Sequence, residues 1–352
     1  MKHSNNSYDY LIIGQGIAGT MLSYQALKRN KSFKLIDNSF KHSASKISSG
    51  VINPVTGRKI VKTWMIEELM EKARTIYEDI SSILGRNIIK FAEITRLIKD
   101  AEEENIWTSK ALNESVSYLT EIGEAKPYEH FFKNFKSVGK ISPALVIDIE
   151  TLLIEWKHYL SVTGNLIESQ VERNEIVLNN DRVRYQDMQF STIIFADGQQ
   201  GLSREFFEFL NYEDAKGDVI YIKSDEFHCD EMLKTNINII PLKNEQYWIG
   251  SNYEWNPKDD KPSESIKESF ISKLNKSVTF NYEVIDHKSA IRACTKDRKP
   301  YIGIHPDHAQ LVIFNGLGTK GMSLAPYFSE HLFDHLEDNI PLMAEVDIQR
   351  VF

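Results

Sequence analysis

The sequence predicts an α/β protein: a Rossmann-type dinucleotide-binding domain, discontinuous along the chain, with an inserted α+β domain that contains a mixed or antiparallel sheet. Three observations predict it. Within the first forty positions an apolar run meets a glycine-rich turn, a helical stretch, a second apolar run and an acid, in that order. Near the far end a second glycine cluster follows an apolar run and precedes another helical stretch. Between them lie segments of alternating apolar and polar character, the pattern of half-buried strands.

Asp9-Tyr10-Leu11-Ile12-Ile13 reads as a strand buried on both faces. Gly14-Gln15-Gly16-Ile17-Ala18-Gly19 follows it directly. Gly14 permits a tight turn, Gly16 lets the backbone approach a pyrophosphate, and Gly19 lets helix and strand pack closely. Thr20 to Arg29 has helical periodicity and ends on cations, and its N-terminus offers oriented N–H groups to phosphate oxygens. Ser32-Phe33-Lys34-Leu35-Ile36 is the second strand. Asp37 then falls near the spacing of roughly 20 residues at which a carboxylate accepts from a ribose hydroxyl. An acid there repels a 2′-phosphate, which disfavours NADP.

Composition limits the rest. The chain has 352 residues, 41% hydrophobic and 26% charged, enough for two domains of ordinary size. Its net charge of -8 argues against a polyanion as the main partner, because phosphate backbones recruit clustered cations. The window Gly57 to Lys62 carries Arg58, Lys59 and Lys62 and reads as a solvated basic face. Cys229 and Cys294 cannot supply a disulfide framework or a four-ligand zinc site. The histidines show no H-E-x-x-H spacing, so no catalytic metal is expected, and no G-x-S-x-G elbow occurs. With neither a signal-peptide pattern nor a long apolar run, the expectation is a cytoplasmic protein without a membrane span.

Three further segments separate the cofactors that such a turn could hold. Ser45-Lys46-Ile47-Ser48-Ser49-Gly50-Val51-Ile52-Asn53-Pro54 is a hydroxyl-rich loop. Thr192-Ile193-Ile194-Phe195-Ala196-Asp197-Gly198 is a strand that breaks at a small residue and a glycine. Arg292 to Gly303, then Leu311 to Pro326 with Gly316, Gly318 and Gly321, places a donor nest ahead of a helical stretch from Tyr327 to Leu336.

Taken in this order, the segments resemble the D-amino-acid oxidase superfamily of FAD enzymes, over nearly the whole chain. The C-terminal stretch is most similar to glycine oxidase and to the oxidase half of the bifunctional tRNA-modifying enzyme MnmC, although there is no room for a methyltransferase half. The resemblance implies noncovalent FAD, with the ADP moiety at Gly14, Gly16, Ile17, Ala18, Gly19, Asp37 and Asn38. It implies the pyrophosphate and flavin along Ser45, Ser48, Ser49, Gly50 and Val51, with Val171, Ala196, Asp197 and Gly198 also at the cofactor. The ring edge falls to Gly316, Gly318, Thr319, Lys320, Gly321 and Met322. Asp197 departs from the family's usual hydroxyl residue, and the serine loop has one glycine where many relatives have two.

The resemblance also implies the chemistry: hydride transfer from the carbon beside an amine nitrogen to flavin N5, followed by hydrolysis of the imine. Arg292 is the candidate clamp for a substrate carboxylate, since its planar fork fits one bidentately. Lys320 is the candidate charge at the ring's pyrimidine edge. Trp64, Tyr221, Tyr247, Trp248 and Tyr253 are candidates for the cavity wall, although aromatics on strands more often belong to the core. The expected partners are a small amine or amino acid and either oxygen or a quinone. The alternatives are a modified tRNA nucleoside as substrate and a flavin-binding protein without turnover. The FAD domain is expected over 1–75, 142–212 and 286–352, and the substrate domain over 76–141 and 213–285.

Overall fold

Leu11, Ile12 and Ile13 are all buried, as are Leu35 and Ile36. Strands with no polar alternation must be covered on both faces, the situation of a parallel sheet between two layers. The computed structural model describes residues 6–39, 43–57, 59–112, 117–179 and 181–352. In it Ser7–Ile13 pairs in parallel with Phe33–Asp37 on one side and with Met188–Phe195 on the other. Leu166–Glu168 and Leu311–Asn315 extend the parallel array outward, and Tyr301–Ile304 adds an antiparallel edge. Tyr10, Ile12, Leu35, Ile194 and Val312 share one core with the helices Ile17–Lys28, Ile66–Leu84, Ile149–Val162 and Gly321–Asp338. Leu11, Ile13, Ile36, Ile193 and Leu311 face the other way, against Tyr185, Phe207 and Leu210.

A second sheet of nine strands stands beside the first. Its order runs Glu254–Trp255, Ala215–Lys223, Gln246–Gly250, Asn238–Pro241, Met232–Lys234, Ile89–Ile98, Ser137–Ile147 and Val51–Ile52, and Glu283–Arg292 also pairs with Ala215–Lys223. Met232–Lys234 and Ile89–Ile98 are parallel and the other pairs are antiparallel, so the sheet is mixed. Asn238–Pro241 and Gln246–Gly250 form a hairpin, with Asn238 opposite Gly250 and Pro241 opposite Tyr247. Phe270 and Leu274 of the helix Glu264–Ser277 seal one face of this sheet. The α/β class with a mixed second sheet is the architecture the sequence predicts.

One element differs from its expected extent. The last long helix begins at Gly321, before Pro326, where sequence patterning starts it at Tyr327. A proline inside a helix has no N–H for the carbonyl four residues earlier. Here the Tyr77 hydroxyl donates to the Met322 carbonyl at 2.9 Å, giving that oxygen a partner from another helix. Among the described residues, no helix is long and apolar enough to cross a membrane.

Candidate cofactor and substrate cleft

The glycine turn is built by contact distances that exclude side chains. Gly14 has φ of 99°, its N–H donates to the Ile36 carbonyl at 2.8 Å, and a Cβ there would lie 2.7 Å from the Ala196 carbonyl oxygen. A Cβ on Gly19 would lie 1.7 Å from the Gly14 carbonyl oxygen, so the helix can start this close to the strand only with glycine at that position. Ser45 Oγ accepts from the Ile17 N–H at 3.0 Å, which draws the hydroxyl loop over the helix N-terminus. Asp37 ends its strand with one carboxylate oxygen accepting from the Gln15 N–H at 2.9 Å and the other from the Ser39 N–H at 2.7 Å.

A cleft of about 420 Å³ opens where the parallel strands end. Ile13, Asp37, Ser169, Ala196 and Asn315, from the carboxyl ends of the five parallel strands, all line it. This is where open α/β sheets hold their ligands. Gly14, Gly16, Ile17, Ala18 and Asn38 line the same end. Ser45, Ser48, Ser49, Gly50 and Val51 form one wall, and Val171, Gly198 and Asp197 another. The buried hydroxyl oxygens of Ser43 and Ser48 have no hydrogen-bond partner among the described residues. Hydroxyls placed this way, beside a glycine turn and a helix N-terminus, suit a pyrophosphate that accepts from them.

Asp197 behaves differently from its neighbours. Its carboxylate accepts from the Ser203 N–H at 2.8 Å and the Ser203 hydroxyl at 2.7 Å, and Asn315 Nδ2 donates to it at 3.3 Å. A Cβ on Gly201 would come within 2.4 Å of it. The side chain therefore ties the strand end to the following helical turn, and burial pushes its pKa up to about 6.

Elsewhere on the cleft wall, Arg292 is buried at the end of its strand, opposite Ala215. Its guanidinium lies over Gly217, where a Cβ would stand 1.7 Å from one of its nitrogens. It donates to Ser251 Oγ at 2.9 Å and to the Asn252 carbonyl at 3.3 Å, and sits 5.1 Å from the Tyr253 ring. No acid lies within ion-pair distance of it among the described residues. Burial lowers its pKa below the ordinary value. A buried cation without a carboxylate is costly. Trp248 lines the same region, with its indole N–H donating to the Ile47 carbonyl at 2.9 Å.

Gly318, Thr319, Gly321 and Met322 also line the cleft, and the Gly318 N–H donates to the Ala293 carbonyl at 3.0 Å, which joins this loop to the segment after Arg292. Gly19, Gly316 and Lys320 do not line it. Gly316 has φ of 77° and turns the chain against Thr295, while Lys320 is half-buried ahead of the helix, its pKa lowered by burial and then by Arg298. Cys294 is buried, and burial raises its thiol pKa.

Of the five candidate wall aromatics, Trp248 and Tyr253 line the cleft. Tyr247 belongs to a core, Tyr221 packs against another, and Trp64 stacks on Phe328 with its ring centroid 5.7 Å away. In the basic window, Lys62 is paired with Glu67 at 2.7 Å, Lys59 is exposed, and Arg58 lies outside the described residues. Sequence reading passed over Ser169, Gln170, Ser251 and Asp260, all on the cleft wall. The strand before Ser169 is only three residues long and carries no readable period. No group of three metal-ligating side chains occurs among the described residues.

A family model described as DAO, FAD dependent oxidoreductase, matches residues 9–335. Glycine oxidase from Bacillus cereus superposes with a TM-score of 0.78 at 17% identity, covering 95% of this chain and 96% of that one. Iminodiacetate oxidase from Chelativorans gives 0.77 at 16%, covering 96% and 98%. L-amino acid deaminase from Proteus vulgaris gives 0.78 at 16%, covering 98% and 94%. At such identities the likeness of these structures is one of fold.

Proposed function

For a chain that belongs to the DAO family of FAD-dependent oxidoreductases, we propose oxidation of the C–N bond of an amino acid or of a carboxylate-bearing secondary amine. The observation that carries this reading is Arg292: a buried guanidinium with no acid within ion-pair distance among the described residues, on the wall of the same cleft as the dinucleotide turn.

The residues present fit FAD. Gly14 to Gly16, the Ile17 N-terminus and Asp37 would hold the ADP half, and Ser43, Ser45 and Ser48 would serve the pyrophosphate. Gly318, Thr319, Gly321 and Met322 would face the flavin, with the positive end of their helix toward charge building on the ring. Gly19 acts behind this surface by admitting the helix to the strand, and Gly316 by turning the chain. Lys320 adds charge from behind the cleft wall. FAD supplies the hydride acceptor. Arg292 binds the substrate carboxylate and so fixes which C–H bond is presented. Trp248, tied to Ile47, narrows the space open to water. A neutral amine that gives up a hydride becomes an iminium ion, and after the N–H proton passes to solvent, water converts the resulting imine to a carbonyl compound and the free amine. A buried, protonated Cys294 is a poor nucleophile, which supports noncovalent FAD. Two free cysteines fit a reducing cytoplasm. Oxygen or a quinone would take the electrons onward.

The test is anaerobic mixing of the FAD-loaded protein with glycine, sarcosine, D-amino acids and N-carboxymethyl amines. Bleaching of the flavin by at least one of them is expected. No bleaching by any would overturn the reading.

A further inference from the structure

Tyr253 and Trp255 are large aromatics that the fold holds outward, 53% and 48% exposed, with ring centroids 5.8 Å apart and planes 30° from parallel. Their neighbours are anchored. Asn252 Oδ1 accepts from the Asp218 N–H at 2.6 Å. Glu254 pairs at 3.1 Å with Lys216, whose side chain is only 5% exposed. The Asn256 N–H donates to the Asp214 carbonyl at 3.0 Å. The short strand Glu254–Trp255 is registered against Ala215 and Lys216, so alternate residues are bound and the two aromatics between them are presented.

We infer that this pair is a platform for a flat ring carried by the substrate, which makes the substrate a carboxylate-bearing amine with an aromatic or heteroaromatic group. The platform is continuous with the cleft, since Tyr253 lines it and stands 5.1 Å from the Arg292 guanidinium. A substrate whose carboxylate meets Arg292 therefore has Tyr253 beside it and Trp255 one ring further out. Adjacent aromatic faces prefer another ring in offset or edge geometry over a saturated group of similar size. Because the neighbouring residues fix the backbone that carries the pair, only side-chain freedom is lost when such a ring arrives.

The inference rests on the proposed function for its carboxylate and amine, and the experiment keeps the two separate. Binding of phenylpropanoate and cyclohexylpropanoate to the FAD-loaded protein is measured by calorimetry; neither can be oxidised as an amine. The aromatic acid is expected to bind roughly three- to tenfold more tightly. Trp255→Ala should bring that ratio close to one, and Trp255→Phe should keep most of it. N-benzylglycine against N-(cyclohexylmethyl)glycine should show the same ratio in KM rather than in kcat. Equal binding of the two acids by the unaltered protein, or a preference that survives Trp255→Ala, overturns the platform. If no amine bleaches the flavin but the binding ratio is found, the proposed reaction fails and the ring platform stands.

Discussion

The two ends of the cleft are made in opposite ways. The part proposed for the nucleotide is assembled from neighbours in the chain: Gly14, Gly16, Ile17 and Asp37 lie within one strand, turn, helix and strand, and Ser45 follows soon after. The part proposed for the substrate is assembled from distant pieces, with Arg292 over Gly217, beside Ser251 and Tyr253, and Trp248 tied to Ile47. The first depends on a backbone shape that few residues permit. The second depends on side chains held by a sheet that many sequences could form. Local construction fixes a dinucleotide-binding shape, and distant construction leaves the substrate free to vary.

Substitutions at the two ends should therefore fail differently. The largest effect is expected for Gly19→Val, whose added atoms meet the Gly14 carbonyl: a loss of about 4 kcal/mol or more, read by denaturant unfolding. Stability close to the unaltered protein would mean that this contact can relax. Gly217→Ala comes next, because its Cβ displaces the Arg292 guanidinium. A kcat/KM lower by roughly 10²-fold is expected from such a misplacement, with FAD still bound. Asp37→Ala removes a charged acceptor, and its FAD dissociation constant should rise by about tenfold or more in titrations of the apoprotein. Loss of turnover in Gly217→Ala together with loss of FAD would blur the division between the ends.

The pH dependence of stability turns on Asp197. Its folded pKa of about 6 lies above the ordinary 3.8, so the folded chain binds this proton more tightly than the unfolded one. The stability this contributes is complete below pH 3.8 and is lost as pH rises through about 6. The apoprotein should lose about 3 kcal/mol from this group across that window, and Asp197→Asn should flatten the slope. An unchanged slope would show that Asp197 does not titrate there.

The difference between the ends also explains what could be read in the sequence. Gly14 to Asp37 was legible because each requirement is met within one local unit, so spacing alone carries the geometry. The α/β class followed from the same unit. Arg292 was found through resemblance, while Gly217, which makes room for it, left no mark. Ser251 and Asp260 reach the cleft by the path of a loop, which no period encodes. The helix start at Gly321 was hidden by Pro326, since the Tyr77 hydroxyl that supplies a donor comes from a helix far away in the chain.

Selection of a carboxylate-bearing amine is the role proposed for Arg292. Its most direct test compares anaerobic flavin-reduction rates for an N-substituted glycine and for the same amine without its carboxylate, in the unaltered protein and in Arg292→Met. The carboxylate is expected to speed reduction by roughly 10²-fold at low substrate in the unaltered protein, and that advantage to shrink toward one in the variant. An equal rate for both amines, or an advantage that survives Arg292→Met, would contradict it.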